Sequence, residues 1–212
     1  MESAALAQIA EVAGGRLVRG NSAAEVKDLV TDTREDCRGD LFVPLKGERF
    51  DGHDFIAEAA GKGAAGCLSE RDVSLIGLPR EFAVIRVADA LKAYQALARW
   101  NRLMFTVPVV AVTGSCGKTT TKEMIKNIFE VKEGGGIVFS RKNENNEIGV
   151  PKALLRMDAG TRGVVLEFGM RGSGEVALLT DIAQPDCGVI TNIERVHIGR
   201  LGSEEAIADA KG

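Results

Sequence analysis

The sequence lacks paired cysteines, long apolar runs and an excess of one charge. Its four cysteines lie far apart and none forms a C-x-x-C pair, which argues against a zinc site or a disulfide framework and favours reduced thiols in a cytoplasm. The apolar stretches are strand-sized, well short of the ~20 residues that a membrane-spanning helix needs. A formal net charge of -3 over 212 residues gives a nucleic-acid groove no global support. The sequence therefore predicts no membrane partner and no nucleic-acid partner.

The composition that remains is that of an ordinary globular protein, with 45% hydrophobic and 27% charged residues, enough for one or two cores. The first part of the chain mixes helices, one of them predicted at its N-terminus, with short strands, predicted at 41–45 and 81–87. The segment DALKAYQALARWNRLM then carries apolar residues at helical spacing. We expect a small N-terminal α/β domain at 1–88, a linker helix at 89–104 and a central domain at 105–212.

Strands and helices alternate in the second part. Apolar, β-branched runs predict strands, with helical segments between them, at Thr106–Val112, Gly136–Ser140, Gly163–Gly169 and Cys187–Ile193. This order is typical of a mainly parallel sheet with helices on both faces, whose ligands bind at the carboxyl ends of the strands. Three of the strands lead there into polar groups, namely a glycine-bounded loop, Glu167 and the pair Thr191-Asn192. We expect these groups to converge.

The loop in VAVTGSCGKTTTKEM has the context of a phosphate loop, because a strand precedes it and a helix follows it. Small residues let backbone N–H groups face phosphate, and the helix N-terminus adds partial positive charge. Lys118 would reach the outer phosphates, and the Thr119 hydroxyl could bind Mg²⁺. The G-x-x-x-x-G-K-[ST] pattern asks for glycine where this chain has Val112; the alternative is a chance GKT at a helix start. The candidate nucleotide-binding residues are Thr113, Gly114, Ser115, Cys116, Gly117, Lys118, Thr119 and Thr120.

Each of the other polar residues has two interpretations, one as a ligand-binding residue and one as an ordinary structural residue. Glu167 ends an apolar strand and could meet Mg²⁺ beside the phosphates or simply face solvent. His197 could be a metal ligand, although a lone histidine more often has a structural place. The amides of Asn143, Asn145 and Asn146 suit polar recognition or an ordinary turn. A further group in the N-terminal part, which could recognise an anion or form a solvated face, includes Thr33, Arg34 and Lys46.

Five segments carry a resemblance to a known family, in that family's order and over nearly the whole chain. They are DTRxxxxGDLFVPLKGERFDGHDF, VVAVTGSCGKTTTKEM, NxNNEIGVPKALL, LEFGMRGSGE and TNIERVHIGRLGSEEAIADAKG. The chain resembles the ATP-dependent Mur ligases of bacterial peptidoglycan synthesis. Within that family DLFVPLKGERFDGHDF and NNEIGVP are most similar to the members that join D-Ala-D-Ala to UDP-N-acetylmuramoyl tripeptide.

The resemblance implies an amide-bond ligase in which ATP phosphorylates the terminal carboxylate of the tripeptide and the amine of D-Ala-D-Ala attacks the acyl phosphate. Carboxylates are poor acyl donors, so the phosphoryl group supplies a leaving group, and positioned cations neutralise the charge. Catalytic roles are implied for Lys118, Glu167, His197 and Lys211.

Matching motifs also imply ligand roles. Thr119 and Glu167 would bind one Mg²⁺, and His197 would help to bind a second. Lys211 matches a lysine that many members carry as a carbamate, an anion able to bind Mg²⁺. The N-terminal domain, with Thr33, Arg34 and Lys46, would bind the UDP end of the substrate, and Asn145 and Asn146 would lie near the UDP-sugar peptide.

Two alternatives stand beside this hypothesis. One is another ligase of the superfamily, MurE-like or folylpolyglutamate synthase-like, and DLFVPLKGERFDGHDF argues for a UDP-sugar against folate. The other is a P-loop kinase or GTPase, and the lack of an N-K-x-D segment after the loop counts against a GTPase.

The resemblance implies three domains and about twice this length, whereas the chain stops at Gly212. We expect a truncated central domain, no C-terminal domain, and ligand binding without turnover. For the intact enzyme we expect a monomer.

Overall fold

A computed structural model of the protein describes residues 1–74 and 76–193. The chain divides into two compact units, Met1–Trp100 and a second that begins at Asn101. Among the described residues no helix is both long enough and apolar enough to cross a membrane. The predictions for His197 and Lys211 concern positions outside the described residues.

The first unit contains a five-stranded sheet and a small two-stranded sheet. Its elements are β1 (Ala4–Ala5), α1 (Leu6–Val12), β2 (Arg16–Arg19), β3 (Glu25–Val26), β4 (Leu29–Val30), β5 (Leu41–Phe42), a 3-10 turn (Gly52–Phe55), α2 (Ile56–Gly61), β6 (Gly66–Ser69), β7 (Ala83–Arg86) and the helix α3 (Ala90–Leu103) in which the division falls. The larger sheet has the order β2-β7-β6-β5-β4, in which only the β2–β7 pair is antiparallel. β1 and β3 pair antiparallel.

The strands of this unit are shorter than the sequence predicts. The expected strand at 41–45 ends at Phe42, two residues before Pro44, because proline has no N–H for a ladder and restricts the residue before it. The expected helix at the N-terminus begins only at Leu6, after β1, and it buries Leu6, Ile9 and Ala10.

The core of the first unit forms where α2 packs on the sheet, around Phe42, Phe82 and Cys67. Cys67 is fully buried, and burial raises the pKa of its thiol to about 12. The thiol therefore stays protonated at neutral pH and behaves as a small apolar group.

The second unit is a parallel sheet whose strands alternate with helices, as the sequence predicts. Its described elements are β8 (Val109–Thr113), α4 (Lys118–Glu133), β9 (Ile137–Phe139), α5 (Gly149–Leu155), β10 (Gly163–Glu167), α6 (Glu175–Ala183) and β11 (Cys187–Ile190). The strand order is β11-β8-β10-β9, and every pairing is parallel.

The order of the strands assigns the helices to two faces. The chain passes from β8 over β10 to β9 through α4, and then returns in the opposite direction through α5 and α6. Because parallel crossovers are right-handed in about 98% of cases, this reversal puts α4 on one face and α5 with α6 on the other. Helices therefore cover both faces, and all five residues of β10 are buried.

Local sequence sets the helix ends near the site. α4 lies between Gly117 and Gly134, both in the left-handed region with φ of 80° and 72°, a conformation that costs glycine little. α5 begins at Gly149, and Pro151 lies in its first turn, where proline is tolerated.

Candidate functional site

The polar groups expected to converge do meet at one edge of the second unit's sheet. β8 is the hydrogen-bonded neighbour of both β10 and β11. The loop after β8, the terminal Glu167 of β10 and the residues after β11 therefore lie at the same carboxyl edge.

Glycine at position 114 is required by the close approach of the loop to Thr191. Gly114 has a φ of 141°, and a Cβ atom there would lie 2.0 Å from Thr191 Oγ1. Val112, where the consensus has glycine, is fully buried inside β8 as the register partner of Glu167. The turn of the loop thus begins after Thr113, and Val112 acts as a core residue of the strand.

Asn192 holds the first half of the loop in shape. The N–H of Ser115 donates to the Asn192 carbonyl oxygen at 3.0 Å, and the N–H of Cys116 donates to Asn192 Oδ1 at 2.8 Å. The Thr191 hydroxyl donates to the Cys116 carbonyl oxygen. These two N–H groups point toward the end of β11, so a phosphate would be met by the rest of the loop.

The second half of the loop is the N-terminus of α4. The helical bonds begin with the Thr121 N–H, which donates to the Gly117 carbonyl at 2.9 Å, so the N–H groups of 118–120 precede the first helical bond. Lys118 Nζ folds back over the loop and donates to the carbonyls of Gly114 at 2.7 Å and Ser115 at 3.2 Å. A helix N-terminus and an ammonium group over one loop form a site that attracts anions.

A hydroxyl and a carboxylate meet beside this loop. Thr119 Oγ1 donates to Glu167 Oε2 at 2.8 Å, and Asn145 Nδ2 donates to Glu167 Oε1 at 3.0 Å. Glu167 is only 8% exposed. Both of its oxygens have a donor, which offsets the cost of burying a carboxylate.

This pair fits Mg²⁺. Within residues 1–74 and 76–193 no three His, Cys, Asp or Glu side chains cluster as a metal site. Mg²⁺ does not need such a cluster, because it keeps several waters and takes one or two protein ligands together with substrate phosphates. Thr119 and Glu167 supply oxygen ligands of that kind next to the phosphate loop.

The asparagines of the 143–146 segment have distinct structural places. The carbonyl of Asn145 accepts from the Gly169 N–H at 2.7 Å, so Asn145 contacts the end of β10 through its backbone as well as its side chain. Asn146 Oδ1 accepts from the N–H groups of Ile148 and Gly149 and so stabilises the start of α5. Asn143 adopts a left-handed φ of 67°, as asparagine tolerates in a turn.

An ion pair fixes the same segment. Arg156 Nη2 lies 2.7 Å from Glu144 Oε2. Burial opposes ionisation of Glu144, but the hydrogen bonds from Arg156 and from the Arg141 N–H outweigh it and lower the pKa of this carboxyl group. The ion pair of Glu144 and the hydrogen bonds of Asn146 therefore fix the segment on both sides of Asn145.

The first unit has a cavity of about 410 Å³. Phe50 and Phe55 form part of its wall, with ring centroids 6.5 Å apart at an interplanar angle of 82°. The lining residues are Thr31, Asp32, Thr33, Arg34, Phe42, Phe50, Gly52, Phe55 and Glu58. Two of the predicted substrate residues, Thr33 and Arg34, are among them, whereas Lys46 is not.

The polar groups around the cavity are bonded to neighbouring acids. The Arg34 guanidinium donates to both carboxylate oxygens of Asp32, and these hydrogen bonds raise the pKa of Arg34. Thr33 Oγ1 donates to Glu58 Oε1 at 2.9 Å. Lys46 forms an ion pair with Glu70. A ligand that binds Arg34 has to compete with Asp32.

Sequence reasoning did not single out Phe50 or Phe55. Aromatic residues make up only 5% of the chain, and two of them lie within six positions in the segment assigned to substrate binding. That concentration is a signal for an aromatic wall. Asn192 was noted as a polar strand end, but its role in holding the loop depends on the strand order.

Comparison with known proteins shows which family the chain matches. Residues 25–102 match the catalytic domain of the Mur ligase family, and residues 112–212 match the Mur ligase middle domain. A UDP-N-acetylmuramoyl-tripeptide–D-alanyl-D-alanine ligase of Synechocystis sp. is 48% identical over 186 residues, which are 88% of this chain and 40% of that relative.

Solved structures of MurF enzymes also superpose on this chain. A crystal structure of MurF from Acinetobacter baumannii superposes with a TM-score of 0.90 at 34% identity, over 100% of this chain and 46% of that one. A MurF ligase from Thermotoga maritima in complex with ADP gives a TM-score of 0.77 at 36% identity, over 88% of this chain and 42% of that one.

The chain spans less than half of the length of these relatives. The two domain matches together cover most of its own length. The chain belongs to the Mur ligase family.

Proposed function

We propose that this chain is the substrate-binding and nucleotide-binding portion of an ATP-dependent ligase that joins D-Ala-D-Ala to UDP-N-acetylmuramoyl tripeptide. The contact between Thr119 and Glu167 at the phosphate loop carries the proposal, because it sets two Mg²⁺ ligands beside a site built for phosphate. The names of the relatives support the choice of substrate.

In this proposal the nucleotide binds with its phosphates at the N-terminus of α4. Lys118 exchanges its contacts with the carbonyls of Gly114 and Ser115 for phosphate oxygens. Thr119 and Glu167 would hold Mg²⁺, which would supply positive charge beside the phosphates. Asn145 keeps the Glu167 carboxylate in place.

The reaction that this site would serve is acyl activation. The terminal carboxylate of the tripeptide attacks the γ-phosphorus and ADP leaves, which produces an acyl phosphate. The amine of D-Ala-D-Ala then attacks the acyl carbon, and phosphate departs as the amide forms. Lys118 and the helix N-terminus stabilise negative charge throughout.

The cavity of the first unit is the proposed binding site for the UDP portion. Its aromatic wall suits a nucleobase, while Arg34, Thr33 and the acids Asp32 and Glu58 offer donors and acceptors for polar groups. The proposed substrate residues Lys46, Asn145 and Asn146, the second Mg²⁺ ligand His197 and a carbamylated Lys211 remain predictions. A cytoplasmic location fits an enzyme that consumes ATP and a nucleotide-linked precursor.

Binding measurements test the proposal. Isothermal titration of the 212-residue chain should detect much tighter binding of ATP with Mg²⁺ at millimolar concentration than in EDTA, and should detect UDP-N-acetylmuramoyl tripeptide without ATP. Binding of GTP in preference to ATP, together with no binding of UDP compounds, would point to a P-loop GTPase or kinase and overturn the proposal.

Steady-state phosphate-release assays separate binding from turnover. With both substrates and ATP, we expect no sustained phosphate release from this chain, because the resemblance assigns part of the ligase to residues outside it. A Thr119→Val variant, which keeps the side-chain shape and loses the hydroxyl, should bind ATP with a much weaker dependence on Mg²⁺.

A further inference from the structure

A buried lysine outside the phosphate loop contacts the strand end beside Glu167. Lys122 lies on α4 one turn after Thr119 and is only 3% exposed. Its ammonium group donates to the Ser140 carbonyl at 2.8 Å and lies 2.9 Å from Glu123 Oε1. A buried cation is costly unless it is paired, and these two oxygens supply the partners that Lys122 needs.

Ser140 has an unusual place in the sheet. It directly follows β9, and its N–H donates to the Val165 carbonyl at 3.1 Å, which continues the parallel ladder between β9 and β10. In a regular parallel ladder the next bond would join the Glu167 N–H to the Ser140 carbonyl. Instead the Glu167 N–H donates to Ser140 Oγ at 3.1 Å.

The serine hydroxyl thus takes over one ladder bond and leaves the Ser140 carbonyl to Lys122. After this point the chain leaves the sheet, and the segment 141–146 crosses the carboxyl edge to bring Asn145 to Glu167. Two of the groups that orient Glu167, its own N–H and the Asn145 amide, therefore depend on how the chain turns at Ser140.

We propose that Lys122, acting through Ser140, is a positioning residue for the Mg²⁺-binding carboxylate of Glu167. One helix then supplies both the hydroxyl that binds the metal and the ammonium group that orients its carboxylate ligand. The inference rests on the proposed Mg²⁺-nucleotide site, and it adds a residue that does not itself touch the ligand.

Lys126 offers a matched control. It lies one turn further along the same helix, and its ammonium is 4.5 Å from the centroid of the Phe139 ring, which Lys122 approaches at 5.9 Å. Lys126 pairs with Glu130 on its own helix. A Lys126→Met variant therefore removes a cation from the same ring without removing a donor to Ser140.

The Mg²⁺ dependence of nucleotide binding tests the inference in the 212-residue chain. With a fluorescent ATP analogue, Lys122→Met should raise the Mg²⁺ concentration for half-maximal binding by about 10- to 100-fold, the range typical of lost outer-shell partners. Binding in EDTA should stay unchanged, because Lys118 and the loop remain. Lys122→Arg should recover part of the loss, and Lys126→Met should match the parent chain.

Amide hydrogen exchange at Glu167 gives a second readout without any ligand. Lys122→Met and Ser140→Ala should each increase exchange at this N–H, and Lys126→Met should not. If the parent chain binds no Mg²⁺-nucleotide at all, the proposed function fails while this exchange result still decides the positioning role.

An unchanged Mg²⁺ requirement in a folded Lys122→Met variant, or equal effects of the two lysine variants, would refute the inference. If Lys122→Met does not fold, Ser140→Ala decides in its place. It removes the hydroxyl that accepts from the Glu167 N–H, and it should raise the Mg²⁺ requirement as Lys122→Met does.

Discussion

The two units hold the polar groups of their candidate sites in different environments. In the second unit Glu167 is buried and both of its oxygens accept hydrogen bonds from Thr119 and Asn145. In the first unit the side chain of Arg34 is 87% exposed and pairs with Asp32, two residues away. The hydrogen bonds of Glu167 join distant parts of the chain, whereas the Arg34–Asp32 pair joins neighbours in sequence.

This difference predicts how substitutions in each unit should affect stability and ligand binding. Where a site is built from long-range contacts inside a sheet edge, substitution should disturb the fold and the ligand together. Where it is built from exposed local pairs, the fold should tolerate substitution, because exposed ion pairs contribute little to stability. Three substitutions test this contrast, in order of decreasing expected effect.

The largest effect should come from Lys118, whose ammonium group donates to the loop carbonyls of Gly114 and Ser115. Lys118→Met should weaken ATP binding by about 10- to 100-fold, the equivalent of a charge-assisted hydrogen bond of about 1.5–3 kcal/mol. Titration of a fluorescent ATP analogue measures this. Lys132→Met, at the exposed far end of the same helix, should bind like the parent chain. Equal affinity of both variants would remove Lys118 from the phosphate site.

Gly114→Ala should lower the free energy of unfolding by about 1–3 kcal/mol, because an alanine there is strained at positive φ and its Cβ meets Thr191. Gly134 is the control, since it also has positive φ but a Cβ there meets no atom within 4 Å. Gly134→Ala should cost about 1 kcal/mol, near the lower end of that range, because it carries the backbone strain without the contact. Urea denaturation compares the two, and a smaller loss at Gly114 would show that the loop adapts more readily than its packing suggests.

The smallest effect should come from Arg34. Arg34→Ala should weaken binding of UDP-N-acetylmuramoyl tripeptide a few-fold and leave the melting temperature unchanged. Arg38 pairs with Asp36 in the same geometry, also two residues away, but it does not line the cavity. Arg38→Ala should change neither property. A loss of stability in Arg34→Ala would contradict the contrast between the units.

The sequence predicts the second unit better than the first, and the reason is element length. The runs around Val109–Thr113 and Gly163–Glu167 are long enough for an apolar pattern to predict a buried strand. Two-residue strands such as Leu29–Val30 show no periodicity, so they form only through their partners in the sheet. The edge where Glu167 meets the loop follows from strand order alone.

Other features depend on contacts that no pattern encodes. In sequence Lys122 and Lys126 look alike on one helix, yet the first is buried against Ser140 and the second pairs with a glutamate of its own helix. Asn146, predicted beside the substrate, stabilises the start of α5, which agrees with the alternative interpretation as a turn residue; its substrate role stays a prediction.

The bond between Cys116 and Asn192 joins positions 76 residues apart, and this separation fixes when the nucleotide loop can acquire its shape. A nascent chain has to be extended to Asn192 before the loop is held, about 4–15 s after Cys116 is added at ordinary rates of synthesis. Closure over so long a separation is slow compared with helix formation. The loop should therefore be among the last parts of the second unit to mature, and nucleotide binding would mark the end of its folding.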